Sequence, residues 1–297
     1  MPILLSGDTH HYSRYYAAGT GTHFITSGGG GAFLHPTHHL NDSIEIRWLN
    51  QRATLSLLTD PQASHAPTDK PACYPTREES RRLLNGDMLF WKQNAGFSFL
   101  LGIIYWIFAM ALVARHHLDA YIIVFMFLTG GMVAYFGYQE GFKRLKIWVA
   151  AILHATAHYG AIVALTLLFE QINTDKFGLE GIWPWFFSLG FEIVPTGLIA
   201  GGVIFGLFLM ITCRWFDMNH NDAFSAMRLD RYRHFLRLRI KDDEVTIFPI
   251  GLDKVPRRDE WRVNPNWTGD LATEPAYFAE HEVQPRLIER PIVVRAT

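Results

Sequence analysis

The segment Ser6-Gly7-Asp8-Thr9-His10-His11-Tyr12 follows a short apolar run, and no other stretch of this 297-residue chain constrains the fold and the chemistry as strongly. The run Ile3–Leu5 predicts a β-strand that ends at Gly7, after which Asp8 and His10 follow two residues apart. A carboxylate and an imidazole supply the oxygen and nitrogen ligands that Zn, Mn or Fe prefer. The segment therefore predicts a metal-ligating loop at the end of a strand.

A second apolar run, at Phe24 and Ile25, ends in a run of glycines followed by histidines. Its sequence is Thr26-Ser27-Gly28-Gly29-Gly30-Gly31-Ala32-Phe33-Leu34-His35-Pro36-Thr37-His38. Glycines allow the backbone to approach a ligand closely and to present N–H groups to phosphate oxygens. Two metal ions can bridge a phosphate and generate a hydroxide nucleophile. We therefore expect the glycine N–H groups of this loop to face phosphate oxygens.

Four apolar runs dominate the middle of the chain, at about residues 95–114, 120–138, 145–169 and 189–213. Each is long enough to cross a hydrocarbon core of roughly 30 Å as a helix. A buried helical core in a soluble protein is the alternative, but four such runs in succession favour a four-helix transmembrane region. The segments on either side have ordinary soluble composition.

The distribution of basic residues predicts the orientation of these spans, because cytoplasmic loops carry the excess of Lys and Arg. Basic residues cluster before the first span, in the second loop and after the last span: Arg77, Arg81, Arg82 and Lys92; Lys143, Arg144 and Lys146; Arg214, Arg228, Arg231, Arg233, Arg237 and Arg239. We therefore expect a multi-pass protein with both termini cytoplasmic. With an even number of spans, the two soluble segments share one side of the membrane and can pack together.

The segment 1–60 reads as β-rich, since Ser43–Trp48 alternates apolar and polar residues as a half-buried strand does. Residues 61–94 read as a linker, from Pro61 to Pro75, followed by an amphipathic juxtamembrane helix. Thr76 and Glu79 form a capping-box pattern that opens this helix. The third loop between spans contains the aromatic run Trp183–Phe187, which is suited to the membrane interface.

The segment 214–297 is predicted to be a small cytoplasmic β-containing segment with a tail. Leu236–Ile240 alternates strictly, Lys241–Glu244 makes a turn, and Val245–Ile250 returns as a second strand. Ile292–Val294 is a further strand candidate. We interpret Asn219–Asp222, close to the last span, as a juxtamembrane turn.

Charge and cysteine content exclude some classes of function. The formal net charge of −1 provides no basic field for nucleic acid, so no nucleic-acid partner is expected. The chain has two cysteines, Cys73 and Cys213, which can form neither a disulfide framework nor a zinc motif of the usual spacing.

The two N-terminal motifs together resemble the last part of a calcineurin-like metallophosphoesterase domain, from the membrane-attached branch of that superfamily. Tyr74-Pro75-Thr76, Ser80-Arg81-Arg82-Leu83 and Phe248-Pro249-Ile250-Gly251 are also similar to that branch. The resemblance implies a mixed fold, with a β-rich remnant of an α/β metallophosphoesterase domain. It also implies hydrolysis of a phosphate ester by metal-activated water, with two divalent ions (Mn, Zn or Fe) in the full-length enzyme.

The superfamily's final motif is usually Gly-His-x-His, and each of its histidines binds one metal. By this resemblance His10 takes the place of the second histidine and Asp8 that of the first. The aspartate departs from the pattern and leaves the metal preference open. The resemblance further places His11 and His38 as catalytic residues that line the pocket, together with Gly29.

The superfamily's earlier motifs, Asp-x-His, Gly-Asp-x-x-Asp and Gly-Asn-His-Asp/Glu, do not occur at plausible places in this chain. We therefore expect the chain to correspond to the C-terminal part of a longer enzyme and to be inactive alone. Its partners would be a membrane, a phosphoester substrate and the missing N-terminal part of the same enzyme. An inert truncation product is a further possibility.

A different class of function comes from ionisable residues inside the apolar runs. His154 and His158 lie four residues apart, on one helix face, and Glu192 lies near the start of the fourth run. The alternative hypothesis is a non-enzymatic membrane module in which these residues carry ions or protons. Ordinary hydrogen bonding between helices is the competing interpretation, and we favour it.

Overall fold

The chain divides into two compact units. A computed structural model describes residues 3–48, 51–58, 72–114, 118–139, 141–270, 274–281 and 283–295, with the side chains of 118–123 outside that description. One unit combines residues 1–82 with 228–297, and we call it the discontinuous unit; the other, residues 83–227, is the helical unit. The expectation that the two terminal segments pack together is confirmed.

The discontinuous unit is built from twelve described strands and one helix. The strands are β1 (Ile3–Ser6), β2 (Tyr12–Ala17), β3 (Thr22–Ser27), β4 (Ser43–Trp48), β5 (Gln51–Leu57), β6 (Cys73–Tyr74), β7 (Arg231–Lys241), β8 (Glu244–Lys254), β9 (Trp261–Val263), β10 (Tyr277–Ala279), β11 (Arg286–Leu287) and β12 (Ile292–Arg295). The helix is α1 (Arg77–Leu83), and a 3-10 turn covers Arg258–Glu260.

The N-terminal sheet has the strand order β1-β3-β2-β5-β4, with β6 paired to β2. The pair β1 and β3 is parallel, whereas β2 runs antiparallel to β3, β5 and β6. A second sheet has the order β11-β8-β12, with β7 also paired to β8, and β9 pairs with β10. The parallel pair brings the loops that follow β1 and β3 to the same edge of the sheet.

Several local patterns are confirmed. The apolar residues of β4 are half-buried and its polar residues are exposed. The hairpin of β7 and β8 turns at Asp242 and Asp243, and Ile292–Val294 pairs with β8. These elements form where alternation of apolar and polar residues matches the two-residue period of a strand.

The capping box at the start of α1 is also confirmed. The Thr76 backbone N–H donates to Glu79 Oε2 at 2.8 Å, and the Glu79 N–H donates to Thr76 Oγ1 at 3.2 Å. The predicted linker was wrong at its end, because Cys73 and Tyr74 pair with Ser13 and Tyr12 as β6. Residues 61–71 of the linker lie outside the described residues.

The core of the discontinuous unit joins both terminal segments. Tyr12, Ile25 and Tyr74 from the first segment pack with Ile247 and Ile292 from the second. All five are less than a tenth exposed. Burial of these side chains supplies the main driving force for holding the two segments together.

A buried ionic cluster reinforces the junction of the two segments. The Tyr12 hydroxyl donates to the Glu289 carboxylate, and Arg14 binds the same carboxylate through two nitrogens, Nε at 2.8 Å. The side chains of Arg14 and Glu289 are 12% and 4% exposed. Burial and the neighbouring carboxylate hold the pKa of Tyr12 well above its ordinary value, so the phenol stays protonated and donates.

The described helices of the helical unit are listed in chain order. They are α2 (Phe90–Gln93), α3 (Ala95–Val113), α4 (Leu118–Gln139), α5 (Arg144–Phe177), α6 (Ile182–Ile211) and α7 (His220–Ala226), with a 3-10 helix at Leu84–Leu89 and a π-helical turn at Thr212–Phe216. Three segments are long and apolar enough to cross a membrane: Ala95–Val113, Arg144–Phe177 and Ile182–Phe216. The fourth span, at α4, stays a prediction.

Glycines on α3 and α6 allow the helical segments of this unit to approach one another closely. A Cβ at Gly206 would lie 2.0 Å from the Asp87 carbonyl oxygen, and one at Gly102 of α3 would lie 2.3 Å from the Val194 carbonyl oxygen. Small residues at helix contacts are how membrane helices gain van der Waals packing without a hydrophobic driving force. The packing of α3 and of the 3-10 helix on α6 therefore depends on these glycines.

Three predictions about the ends of helices were wrong. The third apolar helix continues to Phe177, and α6 begins at Ile182, so the aromatic run Trp183–Phe187 is helical rather than a loop. Asn219–Asp222 is not only a turn, because His220 begins α7. Hydropathy marks the part of a helix that is apolar, whereas a helix can continue through interfacial and polar residues.

Replacement of Glu289 by alanine should destabilise the discontinuous unit by about 3–5 kcal/mol, because it leaves the buried Arg14 guanidinium without its counter-charge. Pulse proteolysis in graded urea, on the full chain in detergent, measures this loss. Glu244→Ala is the matched control, since Glu244 pairs with the mostly exposed Arg239 and Arg295 and should cost about 0–1 kcal/mol. Equal effects of the two substitutions would contradict the role assigned to the buried cluster.

Candidate metal centre

The two motifs at the N-terminus meet at one edge of the sheet. In the parallel pair, Ser6 of β1 lies opposite Thr26 of β3, so the loops that follow both strands begin side by side. This confirms the prediction that Asp8 and His10 follow the carboxyl end of a strand. Ligand sites in α/β proteins commonly form at such edges.

Contact between the two loops is backbone to backbone. A Cβ at Gly28 would lie 2.3 Å from the Gly7 carbonyl oxygen and 2.6 Å from the Thr9 carbonyl oxygen. Neither distance can be accommodated by moving a flexible side chain, because both partners are main-chain atoms. Glycine at position 28 is therefore required for the loop carrying Asp8 and His10 to rest on the polyglycine loop.

His10 is held in the tautomer that suits a metal ligand. Its Nδ1 lies 2.9 Å from the Phe33 carbonyl oxygen, which can only accept, so Nδ1 carries the proton. The ring stacks on His35 with centroids 4.4 Å apart, and the His10 backbone N–H donates to His35 Nδ1 at 2.8 Å. This arrangement leaves the lone pair of His10 on Nε2, as in metal sites where a backbone carbonyl orients the ligating imidazole.

Asp8 is exposed at the same edge and lies near enough to His35 to interact with it electrostatically. Burial lowers the pKa of His35, with the adjacent His10 imidazole acting in the same direction. In the described part of the chain, no set of three metal-ligating side chains that includes Asp8 or His10 has its ligand atoms within 4.8 Å of one another. The loop thus offers two ligands, a carboxylate and an imidazole whose orientation is fixed. A metal ion bound there would need further ligands from elsewhere.

The polyglycine loop is fixed by a residue from the other end of the chain. The Gly29 N–H donates to His234 Nε2 at 3.0 Å, and His234 Nδ1 donates to the Tyr232 carbonyl oxygen at 3.2 Å. His234 is only 2% exposed, and burial lowers its pKa, so the ring is neutral and uses both nitrogens on backbone groups. The expectation that the glycine N–H groups face phosphate is therefore wrong at Gly29.

The two residues predicted to be catalytic occupy different environments. His11 is 4% exposed, its Nδ1 has no hydrogen-bond partner, and burial together with neighbouring imidazoles lowers its pKa to about 3. His38 Nδ1 lies 2.9 Å from Ser80 Oγ on α1, and the same hydroxyl oxygen accepts from the Thr37 N–H at 3.0 Å. His11 is therefore a neutral core residue in this conformation, and His38 anchors its loop to α1.

The histidine pair of the helical unit is buried on α5. His154 and His158 are 7% and 3% exposed, with ring centroids 4.5 Å apart, and the Tyr105 hydroxyl lies 2.7 Å from His158 Nδ1. This contact between α3 and α5 agrees with hydrogen bonding between helices. His154 Nδ1 has no hydrogen-bond partner, and the His154 ring packs against the rings of Phe205 and Phe208.

Glu192 does not join this pair. Its Oε2 accepts from Asn173 Nδ2 at 2.9 Å, and Asn173 lies fifteen residues beyond His158 on α5. At 1.5 Å of rise per residue that separation is about 22 Å along the helix axis. Glu192 therefore belongs to a second polar contact between α5 and α6.

No family model matches the chain, and neither a curated protein nor a solved structure matches it.

Sequence reasoning missed His234, which fixes the polyglycine loop, and Glu289, which binds Tyr12 and Arg14. A signal was present for His234, because it interrupts the apolar positions of the alternating strand at Leu236 and Leu238. Its partner could not be identified, since Gly29 is 205 positions away in the chain.

Replacement of Gly29 by alanine should destabilise the discontinuous unit by about 2–4 kcal/mol, from steric overlap and a lost hydrogen bond. A Cβ at this position would lie 2.0 Å from His234 Cε1. Gly30→Ala is the matched control, because nothing lies within 4 Å of its Cβ position. Pulse proteolysis in urea compares the free energies of unfolding of the two variants. Equal values would show that His234 does not fix the polyglycine loop.

Proposed function

We propose that the discontinuous unit contributes Asp8 and His10 to the metal centre of a phosphoesterase, which hydrolyses a phosphate ester with metal-activated water. The observation that carries this proposal is the orientation of His10, whose Nδ1 is committed to the Phe33 carbonyl oxygen and whose Nε2 keeps its lone pair. The adjoining exposed carboxylate of Asp8 supplies a negative charge for the same ion. The resemblance of both motifs to the metallophosphoesterase superfamily points to the same chemistry.

A dinuclear hydrolytic site needs more ligands than Asp8 and His10. We therefore propose that the remaining ligands come from a second polypeptide segment that carries the superfamily's Asp-x-His and Gly-Asp-x-x-Asp motifs. Divalent Mn, Zn or Fe would occupy the complete centre. Such an ion would polarise the phosphoryl oxygens and lower the pKa of a bound water.

For the rest of the chain we propose four membrane spans with both termini cytoplasmic. Residues 1–82 precede every candidate span and residues 228–297 follow all of them, yet they form one compact unit. An even number of membrane crossings allows the two segments to pack together on one side. Three crossings would place them on opposite sides of the membrane. The helix α4, with 22 residues, supplies the fourth crossing.

The alternative proposal, a membrane module that carries ions or protons, has support in one observation. His154 and His158 are buried side by side within an apolar helix, and His154 Nδ1 lacks a hydrogen bond. The separation of Glu192 from this pair removes the carboxylate that an ion or proton path would use. We therefore rank the phosphoesterase proposal first.

Added Mn²⁺ should bind weakly to the full chain in detergent and broaden the NMR signals of the His10 ring. Asp8→Asn should reduce this broadening at least tenfold at matched metal concentration, because it removes the anionic ligand. Asp243→Asn, at the exposed turn between β7 and β8, is the matched control and should leave the broadening unchanged.

Two outcomes would count against this proposal. Absence of broadening at His10 at any Mn²⁺ concentration would contradict a metal centre on this loop. Tight stoichiometric metal that survives purification and disappears with Asp8→Asn would instead contradict the need for a second segment.

A further inference from the structure

Three polar side chains form a cluster within the helical unit. Cys213 Sγ lies 3.3 Å from His220 Nδ1, and His220 Nε2 lies 2.8 Å from Asp217 Oδ1. We call Cys213, Asp217 and His220 the juxtamembrane triad. It follows directly on α6 and ends at the first residue of α7.

An unusual backbone path brings these three residues together. The π-helical turn Thr212–Phe216 ends α6, and both Asp217 and Asn219 adopt left-handed conformations with φ of 58° and 57°. The Asn219 side chain donates to Thr212 Oγ1 at 2.9 Å, which closes the turn on itself. Single π-turns and left-handed non-glycine residues occur more often at functional sites than elsewhere.

The hydrogen bonds of the triad set the state of the imidazole. The Asp217 carboxylate accepts from His220 Nε2–H, so the lone pair lies on Nδ1 and faces the Cys213 sulfur. A carboxylate behind a histidine is the arrangement that orients imidazoles for metal binding. In a tetrahedral zinc site, bond lengths of about 2.3 and 2.0 Å place sulfur and nitrogen about 3.5 Å apart. The observed 3.3 Å is close to that separation.

A buried carboxyl group close to the triad points to a cation. Asp87 is fully buried, neither of its carboxyl oxygens has a hydrogen-bond partner, and it lies within electrostatic range of the Cys213 thiol. Burial raises the pKa of Asp87 to about 8. A buried carboxyl without a partner is costly, and a neighbouring positive ion removes that cost.

We propose that Cys213 Sγ and His220 Nδ1 are two protein ligands of a Zn²⁺-like transition-metal ion, with Asp217 as the positioning residue for His220. Binding replaces the thiol proton of Cys213 by a metal–sulfur bond and releases that proton to solvent. Two tetrahedral positions remain for water or further ligands. Asp87 also releases its carboxyl proton to solvent on binding, and its carboxylate and the thiolate together balance the two positive charges of the ion.

The exposure of the triad favours a metal ion over a covalent reaction at the thiol. Cys213 is 1% exposed, so a substrate carbonyl could not reach its sulfur. The side chains of His220 and Asp217 are 17% and 71% exposed, and they leave an approach for a small ion. Sulfur and nitrogen ligands select zinc, cobalt or copper(I) over magnesium and calcium. The proposed ion therefore has sulfur and nitrogen ligands, whereas Asp8 and His10 offer oxygen and nitrogen.

Cobalt(II), used alone as the probe, tests this proposal on the full chain in detergent. Binding to the triad should produce a thiolate-to-cobalt charge-transfer band in the near ultraviolet, and zinc should displace it. Cys213→Ser should abolish the band, and Asp217→Asn should weaken cobalt binding about 10- to 100-fold, because only the orientation of His220 is lost. Cys73→Ser, at the one other cysteine of the chain, is the matched control and should keep the band.

Persistence of the band in Cys213→Ser, its loss in Cys73→Ser, or its absence at saturating cobalt would each overturn the proposal. A second measurement guards against a variant that misfolds. A membrane-permeable maleimide can reach the buried Cys213 thiol only when the structure opens locally, and bound zinc should slow this reaction in the Cys73→Ser chain. The same protection should be lost in Cys73→Ser/His220→Gln, and equal protection in both chains would also overturn the proposal.

Discussion

The hydrogen bond from the Gly29 N–H to His234 Nε2 is the interaction on which the candidate site depends. It joins a loop near the start of the chain to a strand that follows every apolar helix. The neutral His234 ring can serve this purpose because burial disfavours its protonated form, which would have no acceptor for Gly29. Glycine is needed opposite it, because any side chain at position 29 would occupy the space of the imidazole.

The fixed position of Gly29 determines the positions of the proposed metal ligands through a series of backbone contacts. Gly29 positions the polyglycine loop, Gly28 allows that loop to rest on the carbonyl groups of Gly7 and Thr9, and the loop's Phe33 orients His10. Each step places one group within hydrogen-bond or van der Waals distance of the next. Preorganisation of this kind lets a metal site bind without further ordering of its ligands. The C-terminal segment therefore acts as a support for the metal centre that we propose at Asp8 and His10.

Sequence patterns predicted the elements that depend on neighbouring residues. The capping box of Thr76 and Glu79, the alternating strand Ser43–Trp48 and the hairpin turn at Asp242 and Asp243 each arise within a few positions of the chain. Local hydrogen bonds and the two-residue strand period are sufficient to specify such elements. The position of Asp8 and His10 after the end of a strand could also be predicted, because a short apolar run precedes them.

Contacts between distant residues could not be predicted in this way. Glu289 binds Arg14 although the two residues are separated by most of the sequence. The residues around either one give no signal that the two form a pair. The path that joins Cys213 to His220 depends on a π-helical turn and on left-handed backbone at Asp217 and Asn219, which have no simple sequence signal. Helix ends were misjudged for a similar reason, since the aromatic run that contains Trp183 is part of a helix and not of a loop.

Anomalous diffraction at the manganese absorption edge tests the central claim most directly. In crystals of the full chain soaked in Mn²⁺, the account predicts a peak within bonding distance of both His10 Nε2 and an Asp8 carboxylate oxygen. Crystals of the Asp8→Asn variant, soaked in the same way, should lose that peak. A map with no density at His10, or with manganese bound only elsewhere on the chain, would contradict the account.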